Sequence, residues 1–164
     1  MNMAKIILLC GKICSGKSTY AASIKTDTTV ILSCDDLMLQ LFDECLGEAH
    51  KLILAKCQKY LFNLAEQIAS AGSDVILDFG FWSRAQRQEA KDRFRAKGIE
   101  TELHYIRVDN QVWLQQIDNR NKIALSGAAG RVYFVDDNMK RLFDEAFEEP
   151  TAEEIDILAG RGKD

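Results

Sequence analysis

The feature that most constrains this chain is a junction near its start. Residues 4–10 (AKIILLC) run straight into residues 11–18 (GKICSGKS), and a helix-forming stretch, 17–25, follows. An unbroken apolar run of that length reads as a strand buried on both faces. The octet matches G-x-x-x-x-G-K-[ST], and strand–turn–helix is the setting that pattern requires. Each residue type has a physical reason. Gly11 and Gly16 allow backbone angles that a side chain forbids. The N–H groups of the loop, through Lys12, Ile13, Cys14 and Ser15, can then converge on phosphate oxygens. The positive end of the following helix adds to the attraction. Lys17 is placed to reach the terminal phosphates, the Ser18 hydroxyl to ligate Mg²⁺, and Thr19 to lie near the α-phosphate. The loop therefore implies binding of nucleotide phosphates, with Mg²⁺; ATP is the nucleotide expected. It does not specify the reaction that follows.

The rest of the chain repeats the alternation. Residues 29–33 (TVILS), 74–78 (DVILD) and 102–108 (ELHYIRV) read as further buried strands, and 154–158 (EIDIL) as a short fifth. Helices are expected over 17–25, 35–46, 49–71, 83–97, 110–125 and 135–147. In the longest, Ile53, Cys57, Tyr60, Leu64 and Ile68 recur every three or four residues. Gly72 and Gly98 supply helix stops, and Ser83 an N-cap. Strands alternating with helices predict an α/β protein, a three-layer α/β/α P-loop NTPase fold with a mostly parallel sheet. The segment from about 115 to 135, interrupted by 126–131 (SGAAGR), is expected to form a small kinase-like lid. One proline, Pro150, and no repeat or low-complexity tract favour a single domain over 1–164. Ligands in such folds bind beyond the carboxyl ends of the strands.

Composition narrows the partners. The net charge is −4, opposite to the balance of a tight duplex nucleic-acid binder. No run of 18 apolar residues is present, and the short apolar start lacks the longer core and cleavage site of a signal peptide. The five cysteines (Cys10, Cys14, Cys34, Cys45, Cys57) form no C-x-x-C pair, which removes zinc-ribbon spacing and fits a reducing compartment. A cytoplasmic protein, with no membrane contact, is expected. Monomer and dimer both stay open.

Acids mark the ends of the second and third strands. Asp35 and Asp36 stand where a kinase places the carboxylate that takes the proton of an attacking hydroxyl, with Asp35 preferred as that base. The plainer role is an N-cap plus a first-turn acid. Asp78 closes VILD as an acid facing the Mg²⁺ zone, or caps a strand-end turn. The next four residues, 79–82 (FGFW), either line an acceptor pocket or belong to the core. Arg84, Arg87, Lys91 and Arg95 share one helix face. Arg84 and Arg87 sit in its first turns, against the helix dipole, and so are candidates for contact with the acceptor. Arg120 lies on an apolar stripe with Trp113, Ile117 and Ala124. An arginine there must find an anion or reach water, and a lid arginine over ATP would do so. Arg131 is a second lid candidate.

The segments GKICSGKS, SCDDL, VILDFGFWSRAQR and DNRN together resemble the small P-loop kinases of the AAA_33 type. These are relatives of zeta toxins, chloramphenicol phosphotransferase and phage polynucleotide kinase. The resemblance runs over nearly the whole chain, and LDFGFWSRAQR is its most specific part. It implies phosphate and Mg²⁺ roles for Lys17 and Ser18, the base for Asp35 and the lid arginine for Arg120. It also sets the Pro150–Thr151 turn near the nucleotide base. Polynucleotide kinases have an arginine three residues after the first Asp, where this chain has Met38. With the acidic balance, that favours a small hydroxyl-bearing acceptor over a nucleic acid. A guanine switch is unsupported, because 121–124 reads NKIA and lacks the acid of N-K-x-D. A non-catalytic ATP-binding module, a plain ATPase and a 5′-hydroxyl polynucleotide kinase would each carry the same loop.

Overall fold

A computed structural model describes residues 3–42, 46–127 and 133–161. Its elements follow in the order β1 (Lys5–Cys10), α1 (Lys17–Ile24), β2 (Val30–Ser33), α2 (Cys34–Leu41), α3 (His50–Ser70), β3 (Val75–Gly80), α4 (Arg84–Arg95), β4 (Glu100–Val108), α5 (Asn110–Ser126), α6 (Asp137–Ala146) and β5 (Ile157–Arg161). The strands form one sheet in the order β2-β3-β1-β4-β5, and every pairing is parallel. The sheet is thus wholly rather than mostly parallel. The central apolar strands β1 and β3 called for this, since βαβ crossovers put helices on each side. Strand β2, expected to be buried, and strand β5 are the sheet edges, and Val30, Ile157 and Leu158 on them are exposed.

Alternation along β1 divides the core. Ile6, Leu8 and Cys10 face a layer that includes Leu61, Ala65, Ala90 and Phe94, on α3 and α4. Ile7 and Leu9 face α1 through Ala21, Tyr20 and Ile24. A third cluster joins the segment after β4 to the loop after β1. There Trp113, Ile117 and Val135 are buried together, against Ile13, Cys14, Met139 and Phe143.

Several boundaries differ from the sequence reading. The second helix starts at Cys34 and ends at Leu41 instead of spanning 35–46; residues 43–45, with Cys45, lie outside the described residues. Strand β3 continues two residues past Asp78 to Gly80. It carries one more residue than β1 between the pairs Leu8↔Leu77 and Cys10↔Gly80. Such an insertion re-aims the side chains beside it. Strand β5 begins at Ile157, because Asp156 is used to cap the sheet edge: its carboxylate accepts from Leu103 N at 2.7 Å. No helix among the described residues is long and apolar enough to cross a membrane.

Candidate active site

The loop after β1 has the geometry that phosphate binding demands. Gly16 is left-handed (φ 95°), and so is Cys14 (φ 57°). Left-handed residues two apart in a tight loop turn their N–H groups toward a common centre. Gly11 must be glycine, since a Cβ there would stand 2.7 Å from Ser15 Oγ and 3.0 Å from Ile106 O. The Ser15 hydroxyl is itself buried without a protein partner among the described residues. The cradle therefore suits a group rich in acceptor oxygens. Lys12, Ile13, Cys14, Ser15 and Gly16 form its wall, and Lys17, Ser18 and Thr19 open α1.

The Lys17 ammonium folds back onto the loop, donating to Lys12 O (2.7 Å) and Gly11 O (3.2 Å). Burial pulls its pKa down, while the charges of Asp78 and Asp35 oppose that shift. Ser18 Oγ donates to Asp78 Oδ2 at 2.8 Å. A hydroxyl and a carboxylate at that separation, both oxygen donors, fit a hard cation such as Mg²⁺.

Asp35 and Asp36 do not cap α2. Ser33 does, its hydroxyl accepting from Asp36 N at 3.2 Å. Both carboxylates are thereby released from backbone duty. The Asp35 side chain is exposed at the rim of the site, and the protein packed around its base raises its pKa above the ordinary 3.8. Lys17 and Arg120 pull it down; Asp78 and Asp36 push it up. Four elements thus set their charges on one point: α1 (Lys17), α2 (Asp35), β3 (Asp78) and α5 (Arg120).

Arg120 reaches that point from α5. Its Nη1 lies 3.4 Å from Cys14 Sγ, and its Nε is buried without a protein partner among the described residues. Helix α5 is fastened to the phosphate loop and to the segment before α6. Trp113 Nε1 donates to Ile13 O at 2.7 Å. Asn121 holds Val135 twice, accepting from its N–H and donating to its carbonyl, each at 2.7 Å. Lys12 packs over the Trp113 ring and pairs with Asp144. Arg131 lies outside the described residues.

Arg87 has a different place from the one expected. It is 1% exposed, and its donors go to Glu154 (2.9 Å) and to the carbonyls of Phe81 (3.0 Å), Trp82 (3.3 Å) and Glu148 (2.9 Å). Buried on these partners, Arg87 is a scaffold residue that pins the loop after β3. Burial works against the Glu154 charge, but bonds from Arg87 and Thr151 hold its pKa below the usual value. Arg84 keeps an exposed side chain, and its N–H is taken by Glu148 (2.7 Å). The FGFW segment divides likewise. Phe79 and Phe81 stack on each other beside Phe62 and belong to the core, while Trp82 turns to the phosphate loop and donates to Gly11 O at 3.1 Å.

A cleft of about 270 Å³ lies on the α1 face, lined by Ser15, Gly16, Thr19, Tyr20, Ile106 and Gly160 among others. The Pro150–Thr151 turn is not part of it. Thr151 N donates to Glu154, the partner of Arg87, and the flanking Phe147 and Ile155 pack with the core layer of α3 and α4, across the sheet from α1.

Comparison with known proteins agrees with this geometry. The model of the AAA_33 family (AAA domain) matches residues 6–132. Among solved structures, the Mycobacterium tuberculosis APS kinase CysC, in complex with AMPPNP and APS, superposes with a TM-score of 0.68 at 18% identity, covering 99% of this chain and 91% of that one. Chaetomium thermophilum Kti12, in complex with ADP-AlF3, gives 0.66 at 13% identity, covering 97% and 89%. A chain of the Pnkp1/Rnl/Hen1 RNA repair complex gives 0.64 at 15% identity, covering 89% of this chain and 44% of that one. At these identities the likeness is one of fold. No curated protein matches the sequence.

Proposed function

From the premise that the chain belongs to the AAA_33 family of AAA domains, with a P-loop kinase-like fold, we propose that it transfers the γ-phosphoryl group of ATP to a hydroxyl of a small molecule. The observation that carries this reading is the convergence of Lys17, Asp35, Asp78 and Arg120 beside the phosphate loop. Ser18 with Asp78 on one side of the loop and Arg120 against Cys14 on the other leave the free carboxylate of Asp35 beside the charges of Lys17 and Arg120, a place suited to an acceptor hydroxyl.

Roles follow from the chemistry of phosphoryl transfer, where positioning and charge do most of the work. Lys17 leaves its loop carbonyls for the β- and γ-phosphates. Ser18 and Asp78 would hold Mg²⁺, which when bound neutralises charge on those oxygens. Asp35 accepts the proton of the acceptor hydroxyl as its oxygen bonds to the γ-phosphorus and the bond to the ADP oxygen breaks. Arg120 faces the equatorial oxygens of the transferring group. Asp36 and Arg84, both exposed, are placed to orient the acceptor.

The acceptor is a small molecule, not a polynucleotide. Arg87 is consumed inside the fold, Met38 is buried, and the net charge is negative. A phosphate-rich chain would find too little positive charge here.

The test is ATP consumption by the purified protein with Mg²⁺, alone and with nucleosides, nucleotide sugars, aminoglycosides, chloramphenicol or 5′-hydroxyl RNA. Turnover that needs one small acceptor and yields its phosphorylated form establishes the reading. Turnover with 5′-hydroxyl RNA would make the protein a polynucleotide kinase. ATP bound without acceptor-dependent turnover across the panel would leave a plain ATPase or a binding module.

A further inference from the structure

The octet pattern fixes Gly11, Gly16, Lys17 and Ser18 and leaves four positions free. In this chain two backbone carbonyls at the start of the loop are each gripped by one of the two tryptophans the sequence contains. Trp82 Nε1 donates to Gly11 O (3.1 Å), and Trp113 Nε1 donates to Ile13 O (2.7 Å). The two come from different elements, one from the loop after β3 and one from α5.

A trans peptide is planar, and its C=O and N–H point in opposite directions. Fixing the Gly11 carbonyl therefore fixes the N–H of Lys12, and fixing the Ile13 carbonyl fixes the N–H of Cys14. Each N–H points away from its indole. We propose that Trp82 and Trp113 are positioning residues for the phosphate loop: Trp113 holds the Ile13–Cys14 peptide plane with the Cys14 N–H turned from the indole toward the triphosphate, and Trp82 fixes the Gly11 carbonyl that Lys17 also contacts.

Three further observations bear on this. Gly80 is left-handed (φ 84°), and a Cβ there would stand 2.7 Å from Trp82 Nε1, so β3 gives way to let the indole reach Gly11. Trp113 is 3% exposed with Lys12 Nζ 4.6 Å from its ring centre, which leaves the indole little room to turn. Lys17 shares the Gly11 carbonyl with Trp82. When Lys17 turns to phosphate, Trp82 keeps that carbonyl satisfied, and the loop needs no rearrangement.

The inference rests on the reading of this loop as a triphosphate site, and the experiment separates the two. Growing the protein with β-(3-benzothienyl)alanine in place of tryptophan swaps each indole N–H for sulfur at nearly constant shape. With two tryptophans in the chain, it removes these two donors and no other. Calorimetry would then measure inorganic tripolyphosphate and ATP binding, with urea unfolding of the ligand-free protein alongside. The expected result is a dissociation constant weakened about three- to tenfold for each N–H lost, for both ligands alike. Trp113→Phe, which also lacks the donor, should show the single-site share. Unchanged tripolyphosphate affinity, with or without a lower unfolding midpoint, would overturn the positioning role. Failure of the unsubstituted protein to bind tripolyphosphate or ATP would overturn the phosphate-site reading, and this inference with it.

Discussion

Ser18 Oγ and Asp78 Oδ2 stand 2.8 Å apart, joining the start of the first helix to the third strand of the sheet. They are 60 residues apart in sequence. The strand order brings them together, because β3 is hydrogen-bonded to the strand that leads into the phosphate loop. If they share Mg²⁺, Asp78→Asn should weaken the Mg²⁺-dependent part of ATP affinity by about ten- to a hundredfold. Affinity measured in EDTA should change little. ATP titrations with and without Mg²⁺ check this; an equal loss in both conditions would assign Asp78 a purely structural role.

Asp35→Asn should leave the ATP dissociation constant within about twofold and slow transfer by about 10²–10⁴. The raised pKa of Asp35 sets two pH signs. Transfer should rise with pH through an inflection above the ordinary carboxylate value, as the base is freed of its proton. Stability runs the other way. A folded pKa above the unfolded one contributes stability below the unfolded pKa, and that contribution is lost as pH rises through the folded pKa. At neutral pH the charge on Asp35 therefore opposes folding. The Asn variant should melt at a higher temperature than the parent at pH 7 and lose that advantage in acid. A lower melting temperature at pH 7 would contradict the account.

Arg120→Ala should lower kcat by about 10²–10³ with a smaller effect on ATP affinity, since the loop and Lys17 remain. Single-turnover rates against calorimetric affinities separate the two. An equal fall in both would make Arg120 a ground-state binding residue.

Arg87→Ala should cost about 3–5 kcal/mol of stability, the loss typical when one partner of a buried ion pair is removed. Urea unfolding at pH 7 measures it. The Glu154 pKa is held low in the fold, so its share of the pairing is present above the unfolded pKa and fades as pH falls through the folded one. The difference between parent and variant should accordingly shrink in strong acid. A variant as stable as the parent would show that the four contacts of Arg87 are replaceable.

What could be read from the sequence was what repeats locally. The phosphate loop, the strand–helix alternation, the acids at strand ends and Arg120 all follow from short patterns whose chemistry is self-contained. What escaped depends on distant partners. Arg87 and Arg84 look alike in the sequence, both in the first turns of a helix. Only the return of Glu148 and Glu154 from the far end of the chain buries one and leaves the other exposed. Whether Asp35 serves as a cap or as a free acid is not decided by its own segment; Ser33, two residues earlier, takes the capping duty. Trp113 and Asn121 read as ordinary helix residues, because their acceptors, Ile13 and Val135, lie in other segments. The surroundings of the Pro150–Thr151 turn also depend on distant partners, since Phe147 and Ile155 beside it pack with the core layer of α3 and α4.

The double hold of Asn121 on Val135 has a consequence for how such chains diverge. It fastens the two ends of residues 122–134 side by side, so the geometry at the neck no longer depends on what lies between. Lengthening a segment whose ends are already pinned costs only about 0.6 kcal/mol per doubling. Insertions there can accumulate, and acquire new binding surfaces, without moving Arg120 one residue upstream of the clasp. The placement of Arg120 and the length of the segment beyond it are free to evolve separately.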